Sequence, residues 1–436
     1  MPCYKCKSGV PLPSPLTLFL FSRYLLLTVR SQAATGVMKT LSTDMVMVLL
    51  IANGLLTLGA WIGWKPLWSG RSPALRRWWA ALCWVEVSLM SMGILWLYLW
   101  QPHLPAPWLY RFYFLFNGIL MAGMSCKLPA MGALLLMPLF RKKRVRKRLS
   151  TMSLILSAGV LGVFLWGAGP GAAIPLTREI TLFHETLPPA FDGFRIVQVA
   201  DLHLGSYHAP SVVQRMARRA IRFDPDAVVL TGDLVNEHSP PKTAALLRLF
   251  HGRDASLAIS GNHDYGDYTE WPSAEARNAN LQIIRKAFSD GGFLLLENDH
   301  LLLVRGPDTL AFAGVGNYGE APLPRHDDLE KATRGLPPAV FTILLSHDPQ
   351  HWEKEIRHDP RFPLTLAGHT HGLQWGVTLA GIPFSMASGV RKQWAGLYRE
   401  ENRYLYVNRG TGVIGMPFRI DMPPELTLIT LRRPAP

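Results

Sequence analysis

SLAISGNHD, residues 256–264, is a short β-forming run that stops at Gly261 and then sets Asn262, His263 and Asp264 side by side. The same grammar recurs four more times. Residues 194–200 (FRIVQVA) lead into Asp201-Leu202-His203, and residues 227–231 (AVVLT) into Gly232-Asp233. Residues 341–345 (FTILL) lead into Ser346-His347-Asp348, and residues 363–367 (PLTLA) into Gly368-His369-Thr370-His371. Continuous apolar runs of this length, bounded by Gly or Pro, predict strands buried on both faces. Helical spacing between some of them, as in SVVQRMARRAIRF at 211–223, makes this an α/β pattern. Side chains at the carboxyl ends of such strands converge on one rim of a sheet. The glycines before Asp233, Asn262 and His369 permit the sharp turns that bring those side chains together.

The residue types that gather there suit one kind of chemistry. Histidine nitrogens with aspartate and asparagine oxygens favour Mn²⁺, Fe²⁺/Fe³⁺ or Zn²⁺ over a thiolate-loving metal. Two such ions about 3.5–4 Å apart clamp a phosphate and generate hydroxide near neutral pH, with a carboxylate as the natural bridge. A further histidine near the leaving group serves as general acid. A lone Asp-x-His or Gly-Asp carries little information. Gly-Asn-His-Asp and Gly-His-Thr-His carry much more, and all five motifs occur in order, separated by 29, 85 and 22 residues from Asp233 through Asn262, His347 and His369.

With these motifs the chain resembles the calcineurin-like metallophosphoesterases, from about residue 190 to 431. The closing stretch LYVNRGTGVIGMPFRIDMPPELTLITL (405–431) and the apolar N-terminal part resemble the bacterial membrane-anchored branch of that family. The resemblance implies a four-layer α/β/β/α sandwich of two mixed sheets flanked by helices. It implies that Asp201, His203 and His371 hold one metal, Asn262, His347 and His369 the other, and that Asp233 bridges. It further implies that His263 faces the leaving-group oxygen, with Asp264 orienting its ring. Asn236 stands where the family often has aspartate, and Leu373 follows Gly372 where this branch usually continues with a second glycine.

Composition divides the chain near residue 176. Residues 1–176 hold 18 Lys/Arg and 2 Asp/Glu, whereas residues 177–436 hold 27 and 29, so the net charge of +14 belongs entirely to the apolar part. A second part with a net of −2 has no basic footprint, which disfavours a nuclease and any nucleic-acid partner. Of the 14 histidines, 13 lie in that second part, and the four cysteines (Cys3, Cys6, Cys83, Cys126) all lie in the first. The expected catalytic domain, 177–436, therefore has neither disulfides nor thiolate ligands.

Within the apolar part, residues 38–170, about four transmembrane helices are expected. Residues 45–64, 78–100 and 150–168 are each long enough to cross a hydrocarbon core of about 30 Å, and 108–140 reads as one tilted or broken helix punctuated by Arg111, Lys127, Pro129 and Pro138. The loop RKKRVRKR at 141–148 carries seven basic residues in eight. Positive-inside then places the catalytic domain on the non-cytoplasmic face of the cell (inner) membrane. Residues 1–37 form an N-terminal extension, either signal-like or an over-extended start with the initiator at Met38. Glu86 and Asn53, inside spans, read as helix–helix hydrogen bonds rather than a polar pathway.

The reading that follows is a membrane-anchored phosphoesterase with two divalent metal ions. It cleaves a phosphoester or pyrophosphate bond by metal-bound hydroxide, on a lipid-linked or envelope substrate. The alternatives are a catalytically idle metal-binding receptor or scaffold, against which His263 argues, and a transporter, against which the few intramembrane charges argue. Arg409 and Arg419 are read either as phosphate contacts or as structural ion pairs. His208 is a candidate to line the cleft, while Trp271, Trp375, Phe384, Met386 and Trp394 are weighed as an acyl-chain groove against ordinary core.

Overall fold

The computed structural model describes residues 43–434, apart from 101–106, 208, 237, 241, 269–270, 322, 381 and 386. The extension 1–37, His208 and Met386 lie outside the described residues.

Four long apolar helices come first: α1 (Thr43–Trp68), α2 (Pro73–Trp100), α3 (Pro107–Leu136) and α4 (Lys143–Ala168). All four contain stretches long and apolar enough to cross a membrane. A helix satisfies its backbone groups internally, which hydrocarbon demands. α3 is one helix that runs through Pro129, and Pro138 falls in the short 3₁₀ turn beyond it. The basic run is not a loop throughout, since residues 143–148 form the first turns of α4. α1 packs against the other three helices. At its centre Lys127 donates from Nζ to Asn53 (2.9 Å), Thr57 (2.8 Å) and Glu86 (2.7 Å), which joins α1, α2 and α3 through one buried ammonium. Glu86 and Asn53 thus serve helix packing, around a lysine that in the sequence alone is only a break in an apolar span.

After α4 come two six-stranded mixed sheets. The first orders β1 (Leu176–Phe183), β14 (Glu425–Arg432), β2 (Arg195–Val199), β3 (Ala227–Thr231), β4 (Ala255–Ile259) and β5 (Leu294–Leu295). The second orders β12 (Gly396–Glu400), β13 (Arg403–Val407), β9 (Leu364–Ala367), β8 (Phe341–Leu345), β7 (Asp308–Gly314) and β6 (Asp299–Arg305). A separate hairpin pairs β10 (Gly376–Leu379) with β11 (Ile382–Ser385).

Strand alternation builds the layers. In β3, Val229 points between the sheets, where it joins Ile196, Leu257, Phe312, Ile343 and Leu366. Its neighbours Val228 and Leu230 point outward onto Met216 and Ala217 of α5 (Pro210–Ile221) and onto Ile284 and Phe288 of α6 (Ala274–Asp290). On the outer face of the second sheet, Leu344, Leu405 and Val407 meet Trp352, Ile356 and Phe362. The result is a helix–sheet–sheet–helix sandwich. The carboxyl ends of β2, β3 and β4 in one sheet and of β8 and β9 in the other meet at a common edge, so the rim expected of one sheet is shared by two.

The sandwich sits directly on the helices. The loop 412–420 reaches down to them: Asn117 Nδ2 donates to Gly415 O (3.3 Å), Phe418 meets Phe164 edge to face, and Arg419 N donates to Gly167 O (3.0 Å).

Candidate metal centre

The seven donor residues named above leave the ends of five strands and converge on one buried cluster. Asp201, His203, Asp233 and His371 form one group, and Asp233, His347 and His369 a second, with the facing ligand atoms of each group within 4.8 Å of one another. Asp233 belongs to both. Its Oδ2 lies 3.2 Å from His347 Nε2 and 3.5 Å from His203 Nε2. Asn262 completes the second group, with Oδ1 at 3.0 Å from His347 Nε2 and 3.1 Å from His369 Nδ1. In the first group, His203 Nε2 and His371 Nε2 face each other at 3.0 Å, and Asp201 Oδ1 is 3.4 Å from His371 Nε2.

Such convergence is locally costly. Asp201, His203, Asp233, His369 and His371 all have positive φ, between 43° and 70°, a region that non-glycine residues enter at an energetic cost and hold only when their surroundings over-determine it. The surroundings here are hydrogen bonds between strand ends. Asp201 N donates to Gly232 O, His203 N to Asp233 O, Gly412 N to Asp201 O, and His369 N to the Asp201 carboxylate. Two glycines are required by close approach, since a side-chain carbon on Gly261 would collide with the Asp233 carboxylate, and one on Gly368 with that of Asp201.

The donor set fits divalent cations. Ligand atoms held about 2.1 Å from an ion lie roughly 3 Å apart along a coordination edge, which is the spacing seen between His203 and His371 and around Asn262 Oδ1. Two imidazoles are held neutral, as ligands must be. Burial drives His203 well below its ordinary value, and drives His369 down to about 4 against the pull of Asp348. His347 is the exception: burial lowers it, but Asp233 outweighs burial and raises it to about 10. Asp233 is buried yet held well below the carboxylate range, chiefly by His347 and His263. The same Asp233 carboxylate that favours a proton on His347 would favour a cation beside it.

His263 lies at the edge of the cluster, with its ring 4.9 Å from those of His203 and Tyr268. Its backbone N donates to Asp233 Oδ1 (3.0 Å), and its Nδ1 lies 2.7 Å from the Asn236 carbonyl oxygen. The orienting bond expected from Asp264 thus comes from Asn236. The Asp264 carboxylate instead accepts backbone N–H groups of Leu234 (3.2 Å), Val235 (3.1 Å) and Gly261 (3.0 Å), tying the loop after β3 to the loop after β4. Burial, then Asp233, raises it to about 7.

Arg419 is structural rather than a phosphate contact: fully buried, it donates to the carbonyls of Arg409, Gly412 and Met422 and to His371 Nδ1 (3.1 Å). Arg409 is buried beside Glu425. Two residues that motif reasoning passes over stand at the mouth of the site. Arg391 bonds Asp348 Oδ1 (2.8 Å) and lies 3.3 Å from His369 Nε2, and Tyr268 packs on His263. Neither carries a local signal, because each reaches the site from an irregular segment. A third group, Asp327, His351 and Glu355, already holds the Arg325 guanidinium, which ion-pairs with both carboxylates.

Residues 194–373 match the model of the calcineurin-like phosphoesterase family. The chain is 30% identical over 306 residues to the uncharacterized metallophosphoesterase YkuE of Bacillus subtilis, covering 67% of this chain and 99% of that one. It is 32% identical to a transmembrane protein with metallophosphoesterase domain of Danio rerio, covering 66% of this chain and 63% of that one. To the UDP-2,3-diacylglucosamine pyrophosphatase LpxG of Chlamydia trachomatis it is 27% identical, over 64% of this chain and 96% of that one. A transmembrane relative and four membrane-length helices make this a membrane protein, and the motifs, the buried cluster and the relatives together place the chain in the calcineurin-like phosphoesterase family.

Proposed function

We propose that this phosphoesterase uses two divalent ions to cleave a phosphoester or pyrophosphate bond in a lipid-linked substrate at the membrane surface. The observation that carries the two-ion reading is the Asp233 carboxylate, common to both donor groups. Asp201, His203 and His371 would hold one ion and Asn262, His347 and His369 the other. Bound there, the ions would supply charge for the phosphoryl oxygens and acidity for a water.

The chain's own residues do the rest. A carbonyl only accepts, so the Asn236 bond places a proton on His263 Nδ1 and leaves Nε2 to carry the second proton of the imidazolium. Delivered to the departing oxygen, that proton makes His263 the general acid. The Arg391 guanidinium, anchored by Asp348, is placed to neutralise a phosphate that enters beside His369.

Two features support a lipid-linked substrate. Gly412 N bonds Asp201 O, while Arg419, seven residues on, bonds the end of α4, so one loop links the cluster to the membrane helices. The β10–β11 hairpin leaves the chain just after His371 and returns at Arg391, exposing Val377, Leu379 and Phe384 together with the adjoining Leu373 and Trp375. Its first strand is fastened to the same loop by Gly376 N donating to Ile420 O (2.9 Å). A relative named for pyrophosphatase action on a diacylated sugar nucleotide is consistent with this. By the positive-inside rule, the basic residues at 141–148 support a cytoplasmic position for that end and a non-cytoplasmic catalytic part.

The test uses full-length protein in phosphatidylcholine nanodiscs with Mn²⁺, offered diacylglycerol pyrophosphate in the disc and bis-nitrophenyl phosphate in solution. Preferred turnover of the embedded pyrophosphate is expected. Turnover of the soluble ester alone would exclude the lipid-linked reading and leave the esterase.

A further inference from the structure

A groove of about 600 Å³ opens beside the point where the chain leaves its last membrane helix. It is lined by Ala173, Ile174 and Pro175 of the linker, by Thr177 and Glu179 of β1, and by four arginines. None of the seven metal-donor residues lines it.

The arginines come from one face of α5 and its end: Arg215, Arg218, Arg219 and Arg222 recur at helical spacing and are all exposed. The opposite face, Val212, Val213, Met216, Ala217 and Ala220, is buried against the first sheet. Packing therefore accounts for the apolar half of this helix and not for the basic half. Nor does pairing account for it. Arg219 Nε bonds the Thr177 hydroxyl (2.7 Å) and Arg215 Nη1 that of Ser211 (3.5 Å), both neutral partners. Among the described residues none of the four arginines enters an ion pair, and Glu179 is the one acid in the lining.

The groove also lies at a telling height. The last apolar span runs to Ala173, which itself lines the groove, so the chain sets the groove at the level where hydrocarbon gives way to headgroups. Guanidinium groups grip phosphates by paired N–H donation, and four of them at this level stand at the height of phospholipid phosphates. We propose that this groove binds the phosphate headgroup of an anionic phospholipid from the membrane that the chain's own helices cross. It holds the sandwich down on the bilayer from the side of α5. The proposal rests on membrane insertion and is independent of what the metal cluster hydrolyses.

The experiment measures lipid retention by full-length protein in detergent, using native mass spectrometry with phosphatidylglycerol and phosphatidylcholine in competition. The wild type should retain phosphatidylglycerol preferentially. Arg215→Gln, Arg218→Gln and Arg222→Gln should weaken retention by about fivefold for each arginine removed, while hydrolysis of a soluble nitrophenyl ester stays unchanged. Should the triple variant fold poorly, Glu179→Gln alone provides the opposite sign and should strengthen retention. Equal retention of the two lipids, or of phosphatidylglycerol by wild type and triple variant, would overturn the proposal. So would complete displacement of the lipid by millimolar inorganic phosphate, which would mark a site for free anions instead.

Discussion

Asp233 leaves β3 with φ at 55°, and its Oδ2 faces one histidine of each donor group, so removing it should be felt on both sides of the cluster. Asp233→Ala is expected to lose both ions, whereas Asn262→Ala should retain the one held by Asp201, His203 and His371. Elemental analysis of the purified full-length variants decides this; a single ion in the fully active wild type would end the two-ion assignment. His263 is argued to hold a proton rather than an ion. His263→Gln should therefore keep its metal content and lose about 10²–10⁴-fold in turnover of an alkyl ester. A nitrophenyl ester, whose leaving group departs unaided, should lose far less. An equal loss on both esters would make His263 a ligand or a structural residue. Asp264→Asn should behave differently from His263→Gln. Its new amide would face backbone N–H groups that now donate to a carboxylate, costing about 1–3 kcal/mol of stability for each donor left unpaired, with no dependence on the leaving group.

Elements explain why the site opens where it does. The hairpin β10–β11 presents Val377, Leu379 and Phe384 to the outside, although such side chains ordinarily gain from burial. Its flanks hold His371 on one side and Arg391 on the other, so whatever the hairpin touches is brought to the cluster. Replacing Val377, Leu379 and Phe384 with serine should lower turnover of a bilayer-embedded pyrophosphate at least about tenfold and leave a soluble ester unaffected. Parallel losses on both substrates would show that the hairpin only supports the fold. Among the membrane helices, Lys127 is the residue on which three elements agree. Lys127→Met would strand Glu86 and should cost about 2 kcal/mol. Adding Glu86→Gln should restore part of it. Thermal melts in detergent read both, and a double variant less stable than the single would show that Glu86 has other work.

For the whole molecule, the arrangement of sandwich on helices makes orientation a functional quantity. The seven basic residues at 141–148 stand partly in the first turns of α4, where cations oppose the helix dipole. Helix stability does not account for them there, whereas the proposed retention on the cytoplasmic side would. A reporter fused after residue 436 should be active outside the cytoplasm, and neutralising the seven residues should weaken or invert that orientation. Cytoplasmic reporter activity in the unaltered protein would reverse the topology proposed above.

Much of this protein is readable from residue order alone, because the informative patterns are local. A buried strand needs only a few consecutive apolar residues, a membrane helix some twenty, and a donor at a strand end needs only its neighbours. Thus 227–231 announces β3 with Asp233 behind it, and 45–64 announces α1. Partnership is another matter, since it depends on segments far apart in the chain. Asn236 and Asp264 are near neighbours of His263 in motif terms, yet only the approach of the loops after β3 and β4 makes the Asn236 carbonyl the ring's partner and gives Asp264 three backbone donors. Lys127 looked like an interruption of a span until α1 and α2 supplied its acceptors. Arg419 reads in the sequence equally as a phosphate contact or a structural residue, and only the loop that buries it decides for the second. Arg391 has no motif at all; the hairpin's return sets it beside His369. Charge and hydropathy are properties of a segment, but a hydrogen-bond partner exists only once packing has brought two segments within about 3 Å.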